Sequence, residues 1–387
     1  VISDSAITRP RILFVSHTAE WTGPTNSLLL LLENLRSRFD QSVLLPGEGL
    51  FAERLAEQGV RFFSFPSLRK WKVPAMVRLI RQNRIDLVYG NNTGSACKNA
   101  LIAAKIAGVP FIYHIRAMAG TEGWRKVRLL RFADATIAVS AACARSFSRF
   151  LGRRLPYVVH NGVTLRPTSP DRAAARRRLS EVAGIPADAT VMVAVGNVDR
   201  RKATEYSVRA TVRIVREVPS TFLLVIGRLD RDPEYVRRIR CLVRDLELEG
   251  HVRILDFRAD VLDLLEGCDL LLHTARDDPH PRVVIEAMAA GLPVVAFPID
   301  GVAETVVDGE TGYLAPAGNV TALAEAALQL VRDPALRAEF GKRARSRAAE
   351  HYSAQATAGK VGDIIDHTLR RAPPRLQPAR PVATCTS

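Results

Sequence analysis

The chain has 387 residues, 47% hydrophobic and 25% charged, which excludes a disordered or fibrous polypeptide and leaves room for two cores. Lysine and arginine outnumber the acids 55 to 40, a formal charge of +15, so the partners to look for are anionic: nucleotide phosphates, anionic lipid or nucleic acid. The same arginines, spread along the whole chain, read equally well as a solvated helix surface.

The elements follow in chain order. RILFVS (11–16) predicts a strand and 24–35 a helix. SVLLP, FFSFP, DLVYG, FIYH, ATIAVS and YVVHN predict further strands up to residue 161. TVMVAVG (190–196) restarts the series, with a helix over 205–218. FLLVIG, VRILDF, DLLLHT and PVVAF then repeat the alternation. Continuous Val/Ile/Leu runs spaced by helices predict parallel sheets covered on both faces. Between the two series, TLRPTSPDRAA (164–174) holds two prolines and no apolar run, and reads as a linker. The expected fold class is α/β: two doubly wound, Rossmann-like domains, 1–163 and 175–352, facing each other across a cleft. The tail 372–387 carries four prolines and is expected to be disordered.

Cys97, Cys143, Cys241, Cys268 and Cys385 form no CxxC pair and no zinc spacing, which suggests a reducing cytoplasm. The start runs straight into a strand-like segment without a signal-like stretch, and no apolar run reaches the ~20 residues of a bilayer span. TEGWRKVRLLRF (121–132) and LRKWKVPAMVRLIR (68–81) mix basic and apolar residues. They fit peripheral contact with an anionic membrane, or ordinary helices with the apolar face on the core. No nucleic-acid recognition module is visible.

Ligands of doubly wound sheets bind beyond the carboxyl ends of the strands. After the first strand, Gly23 permits close backbone approach at a helix start, although Thr25 or Asn26 would serve simply as that helix's cap. His114 ends a strand, where a lone histidine is more often a packed core residue. Asn197, Arg200, Arg201 and Lys202 follow Gly196 and precede a helix; their cations can neutralise a diphosphate without metal, or merely face solvent. Asp230-Arg231-Asp232 has DxD spacing but lies in an arginine-rich loop, so no metal is expected. In ARDDPHPRVVIEAMAAG, Asp278 is expected at the mouth of the cleft. A helix starts near Pro281 or Arg282, with free N–H groups at Arg282, Val283 and Val284, and Gly291 ends it. One of these two carboxylates, Asp278 or Glu286, is suited to bind sugar hydroxyls and the other ribose hydroxyls; alternatively Asp278 complements the helix dipole and Glu286 is a satisfied buried acid.

Four segments then carry a resemblance. DDPHPRVVIEAMAAGLPVVA is similar to an E-x7-E segment, and IDGVAETVVDGETGYL (299–314) to a GG-x-x-E-x-x-x-x-G-x-x-G run. VVHNGV (158–163) and RDPALRAEFGKRARSRAAEHYS (332–353) complete the set. From residue 11 to 369 the chain resembles the retaining, nucleotide-sugar-dependent glycosyltransferases of family 4, with the GT-B fold. The resemblance implies an acceptor-side first domain, a donor domain, and a final helix, 353–371, packed back on the first domain. It implies that Asp278 contacts the donor sugar, Glu286 the ribose, the amides of Val283 and Val284 the diphosphate, with Lys202 and Arg201 adding charge. His114 would contact an outer sugar hydroxyl, and Gly23 would line the phosphate and acceptor side. The implied partners are a nucleotide-diphosphate sugar and a hydroxyl-bearing acceptor, with no metal or other cofactor. Asp278 stands where the family has Glu, His280 for an aromatic residue, Pro281 for Gly and Asn197 for Arg; Thr22-Gly23 shortens a double glycine. These departures keep open a sugar-binding shell with decayed catalysis; a nucleotide-sugar epimerase is the third reading.

Overall fold

The computed structural model describes residues 9–69, 72–92, 94–121, 128–151, 155–166 and 171–372. Seven strands build the first sheet: β1 (Arg11–Ser16), β2 (Asp40–Pro46), β3 (Arg61–Phe65), β4 (Leu87–Asn91), β5 (Phe111–Ile115), β6 (Ala135–Ala138) and β7 (Tyr157–Val158). Six build the second: β8 (Thr190–Val195), β9 (Thr221–Ile226), β10 (Val252–Leu255), β11 (Leu270–His273), β12 (Val294–Ala296) and β13 (Gly312–Leu314). Every pairing is parallel, in the orders β3-β2-β1-β4-β5-β6-β7 and β10-β9-β8-β11-β12-β13. Burial on both faces explains the unbroken apolar runs. Along β1, Ile12 and Phe14 enter one core and Leu13 and Val15 the opposite one.

The strand order reverses between β1 and β4 and again between β8 and β11. At such switch points adjacent connections leave in opposite directions and open a crevice. The loops after β1, β8 and β11 therefore frame one space. The chain crosses between the domains twice, side by side: Val163 N–H donates to Tyr352 O at 2.8 Å, and Ala354 N–H to Val163 O at 2.9 Å. The helix Ala354–Arg371 then lays Ala358, Val361 and Ile365 against Leu28, Leu32 and Leu35 of the first domain.

Some elements differ from expectation. The helix after β1 spans Gly23–Leu35, and its cap is Thr22, reciprocated by Thr25 in a capping box; neither Thr25 nor Asn26 is the N-cap. The helix Arg172–Ala183 begins inside the stretch read as a linker, with Asp171 as its cap. YVVHN keeps only two strand residues, and β13, Gly312-Tyr313-Leu314, opens on a glycine and carries no unbroken Val/Ile/Leu run. Of the two basic–apolar stretches, 68–81 contains the helix Val73–Gln82, whose Met76, Val77, Leu79 and Ile80 are spent on the first-domain core. Residues 70, 71 and 122–127 and the tail from 373 lie outside the described residues. Among the described residues no helix is long and apolar enough to cross a membrane.

Candidate active site in the interdomain cleft

The donor-side wall begins where β8 ends. Gly196 has φ +147°, and a Cβ on Gly227 would lie 1.7 Å from the Gly196 carbonyl oxygen. The loops after β8 and β9 thus cross backbone on backbone, possible only with glycine. Lys202 lies over this crossing; its Cε is 3.1 Å from where a Gly196 Cβ would be. Its backbone N–H donates to Asp199 Oδ1 at 2.9 Å, and Ala203 turns the chain at φ +51° into the helix Thr204–Glu217. The ammonium so directed donates to Asp278 Oδ2.

Asp278 does not hang at the mouth of the cleft. It is 7% exposed and held by Lys202, the His273 ring lies 3.5 Å away without a hydrogen bond to it, and its backbone N–H donates to Asp300 Oδ2 at 2.9 Å. A loop short on apolar residues gave no hint of burial; the cation that permits it is 76 positions away. Burial alone would raise the Asp278 pKa, but the charge of Lys202, with Arg201 adding to it, holds the carboxyl below its ordinary value. Burial, reinforced by Lys202, pushes His273 down to about 3, so its ring is neutral at physiological pH.

The helix Arg282–Ala289 starts at Pro281 and closes through Ala290 onto Gly291, which has φ +81°. Of its first amides, Val284 N–H is already engaged with Pro281 O at 3.2 Å. Val284 is also fully buried and is not among the residues that line the cleft. Arg282 and Val283 keep amides without a backbone acceptor among the described residues. Glu286 is paired with Arg282 at 2.9 Å, one turn earlier. The same guanidinium crosses to the first domain, donating to Ser27 Oγ at 3.1 Å and Gly162 O at 2.9 Å.

His114 is not part of the cleft wall. It lies in β5, 1% exposed, with Nδ1 accepting from the Tyr89 hydroxyl at 2.5 Å and from Arg116 at 3.2 Å. Burial and the neighbouring Arg116 hold its pKa well below 6.5. Arg116, just past the strand, is the residue that reaches the cleft, anchored to Asn91 at 2.7 Å and Asn161 at 2.6 Å. Burial lowers its pKa to about 10, which leaves it charged. An arginine directly after an apolar strand is the signal in the sequence that marks Arg116.

The cleft encloses about 490 Å3. Gly23, Asn197, Arg201, Lys202, Asp278, Val283 and Glu286 all line it. Arg116, Arg228, Arg258 and Arg282 join them, so among the described residues six cations face Asp277, Asp278 and Glu286. This excess of positive charge suits a diphosphate. The DxD-spaced acids are otherwise employed: Asp230 pairs with Arg228 at 2.6 Å, and Asp232 caps the helix Pro233–Asp245. Among the described residues no three His, Cys, Asp or Glu side chains gather as a metal site.

Each domain matches a family model: residues 21–166 that of Glycosyltransferase Family 4, and residues 175–347 that of Glycosyl transferases group 1. The chain is 31% identical over 305 residues to the D-inositol 3-phosphate glycosyltransferase of Kineococcus radiotolerans, covering 74% of this chain and 67% of that enzyme. It is 30% identical over 193 residues to the N-acetyl-alpha-D-glucosaminyl L-malate synthase of Bacillus anthracis, covering 50% of this chain and 49% of that protein. The match thus spans about half the length of the second relative. Anabaena Alr3699/HepE, solved in complex with UDP-glucose, superposes with a TM-score of 0.82 at 25% identity, covering 92% of this chain and 99% of that one. Sucrose-phosphate synthase from Thermosynechococcus elongatus shares the fold, with a TM-score of 0.78 at 20% identity over 94% of this chain and 100% of that one. With a family match on each domain and a two-domain architecture shared nearly end to end, this chain belongs to the family 4 glycosyltransferases and has their GT-B fold.

Proposed function

We propose that the protein moves a sugar from a nucleoside-diphosphate sugar to a hydroxyl-bearing acceptor seated against the first domain, retaining the anomeric configuration and using no metal. The observation that carries this reading is the cationic cleft at the two switch points, with Lys202 beside Asp278 and an open helix start at Arg282 and Val283. As the bond from sugar to diphosphate breaks, negative charge grows on phosphate oxygen. Fixed cations and helix N–H groups stabilise it there. Asp278 is tied to Lys202 and Glu286 to Arg282, so neither is a free nucleophile. The acceptor hydroxyl attacks from the leaving-group face, and phosphate oxygen takes its proton. Lys202 and both carboxylates all stand on the cleft, which favours an active enzyme over a decayed shell. The HepE complexes with UDP and UDP-glucose make uridine diphosphate sugars the first donors to try. The relatives named for inositol 3-phosphate and malate make anionic polyols and hydroxy acids the first acceptors.

The test is a thermal-shift screen of nucleotide sugars, followed by mass spectrometry of transfer products and determination of their anomeric configuration. Transfer is expected to persist in excess EDTA; complete loss, restored by magnesium or manganese, would count against the metal-free reading. The two carboxylates should separate kinetically. Glu286→Gln should weaken donor binding about 10-fold, the size of one charged hydrogen bond, with kcat little changed. Asp278→Asn should lower kcat about 100-fold with a smaller change in KM. Parent-like donor affinity and turnover in both variants would remove them from the donor site.

A further inference from the structure

We infer that Glu304 is a positioning residue that clamps the donor domain to the first domain and, through residues 300–305, ties the placement of the Asp278 loop to closure of the cleft. This rests on the donor-site reading above.

Glu304 sits on the short helix Val302–Thr305 of the donor domain, yet its carboxylate is spent on the first domain. Oε2 accepts the backbone N–H of Ala141 at 2.8 Å, and Oε1 that of Ala142 at 2.7 Å. These are free amides at the start of the first-domain helix Ala141–Leu151, where a carboxylate gains from both hydrogen bonding and the helix dipole. His160 Nε2, also of the first domain, is 3.2 Å from Oε2. The backbone of the segment belongs to the donor domain: Arg347 donates to the carbonyls of Thr305 at 2.9 Å and Glu304 at 3.0 Å. One residue therefore answers to both domains.

The same segment carries the Asp278 loop. Asp300, turned to φ +41°, accepts the Asp278 N–H at 2.9 Å. A Cβ on Gly301 would lie 2.1 Å from the Pro279 carbonyl oxygen, so the two backbones touch. Thr305 Oγ1 is 3.4 Å from His280 Nε2. Three successive loop residues thus rest on residues 300–305. The loop is also held from across the cleft, since Asn161 donates to His280 O at 2.9 Å. When the domains part, Glu304 leaves its helix start, Asn161 leaves His280, and the segment that seats Asp278 loses its outer anchor. Asp278 then meets Lys202 in working geometry only when the cleft is shut.

Glu304→Ala and the isosteric Glu304→Gln, made in the full chain, test this by amide hydrogen exchange and steady-state kinetics. In Glu304→Ala, peptides spanning 141–150 and 277–281 should both exchange about 10-fold faster, while those in β8 and β9 stay unchanged. Turnover should fall about 100-fold, as for an ångström-scale misplacement, while affinity for free UDP stays within about threefold. Glu304→Gln, which keeps one accepting oxygen, should fall between Ala and parent on both measures and melt close to the parent. Faster exchange confined to 141–150 would make Glu304 a helix cap and nothing more, and overturn the inference. So would UDP affinity falling in step with kcat. If the parent transfers no sugar from any donor, the proposed reaction fails, and the exchange comparison still decides the coupling.

Discussion

Replacing Lys202 by methionine is expected to reduce transfer about 100- to 1,000-fold, the usual loss when a fixed group facing developing charge is removed. Fold stability at neutral pH should fall with it. Lys202 and Asp278 have side chains only 16% and 10% exposed, so the lost cation leaves a buried carboxylate beside a neutral His273. Removing one partner of such a pair costs about 3 kcal/mol or more. The pH dependence gives the signature. In the parent, Asp278 has a depressed pKa, so its contribution is present above the unfolded carboxylate value of about 4 and is lost as pH falls through the folded value. In Lys202→Met the cation is gone and burial raises the carboxyl instead. The deficit of the variant is therefore largest near pH 7 and shrinks towards pH 4, where a protonated Asp278 is buried at little cost. Denaturant unfolding of both proteins at several pH values measures it. A deficit independent of pH would mean that lost packing of the lysine stem, not the ion pair, is responsible.

Gly227→Ala is the second large effect, and its cause is purely steric. The added methyl would occupy a point 1.7 Å from the Gly196 carbonyl oxygen and 3.2 Å from Asn197 N. The obstacle is backbone, which has no rotamer to yield, so the loops after β8 and β9 must separate. We expect about 3 kcal/mol of destabilisation, the upper end for overpacking. Donor affinity should fall at least 10-fold, because Gly196, Asn197 and Lys202 move with the loop. Gly250→Ala is the matched control. A Cβ there meets nothing within 4 Å and its φ is not left-handed, so it should be neutral or stabilise by up to about 0.5 kcal/mol. Unfolding midpoints and UDP titration calorimetry of both variants decide the matter; a Gly227→Ala protein with parent stability would show that the crossing can open freely.

Two parallel sheets were legible in the chain because burial on both faces writes an unbroken apolar run into each strand, and helices of regular period separate the runs. The loops after β1, β8 and β11 were legible as a site for a related reason. Where chain direction is known, the carboxyl ends of the strands are known, and glycines and cations at those ends mark where a phosphate can approach. Gly23 and Lys202 were visible on that basis and Asp278 through its resemblance to a family motif, and all three line the cleft. What the local pattern could not carry was the partner of each charge. Asp278 is buried only because Lys202, 76 residues earlier, is brought under it by a glycine crossing. Glu286 faces Arg282, and Glu304 reaches a helix start 163 residues before it. His114 and Arg116 differ by a single pleat, about 6.6 Å of strand rise, and that depth separates a core histidine from a cleft arginine. Periodicity is a property of neighbours along the chain, so it reports which face is buried. Charge pairing across a cleft depends on which distant segments the closed sheets bring together, and only the folded molecule decides that.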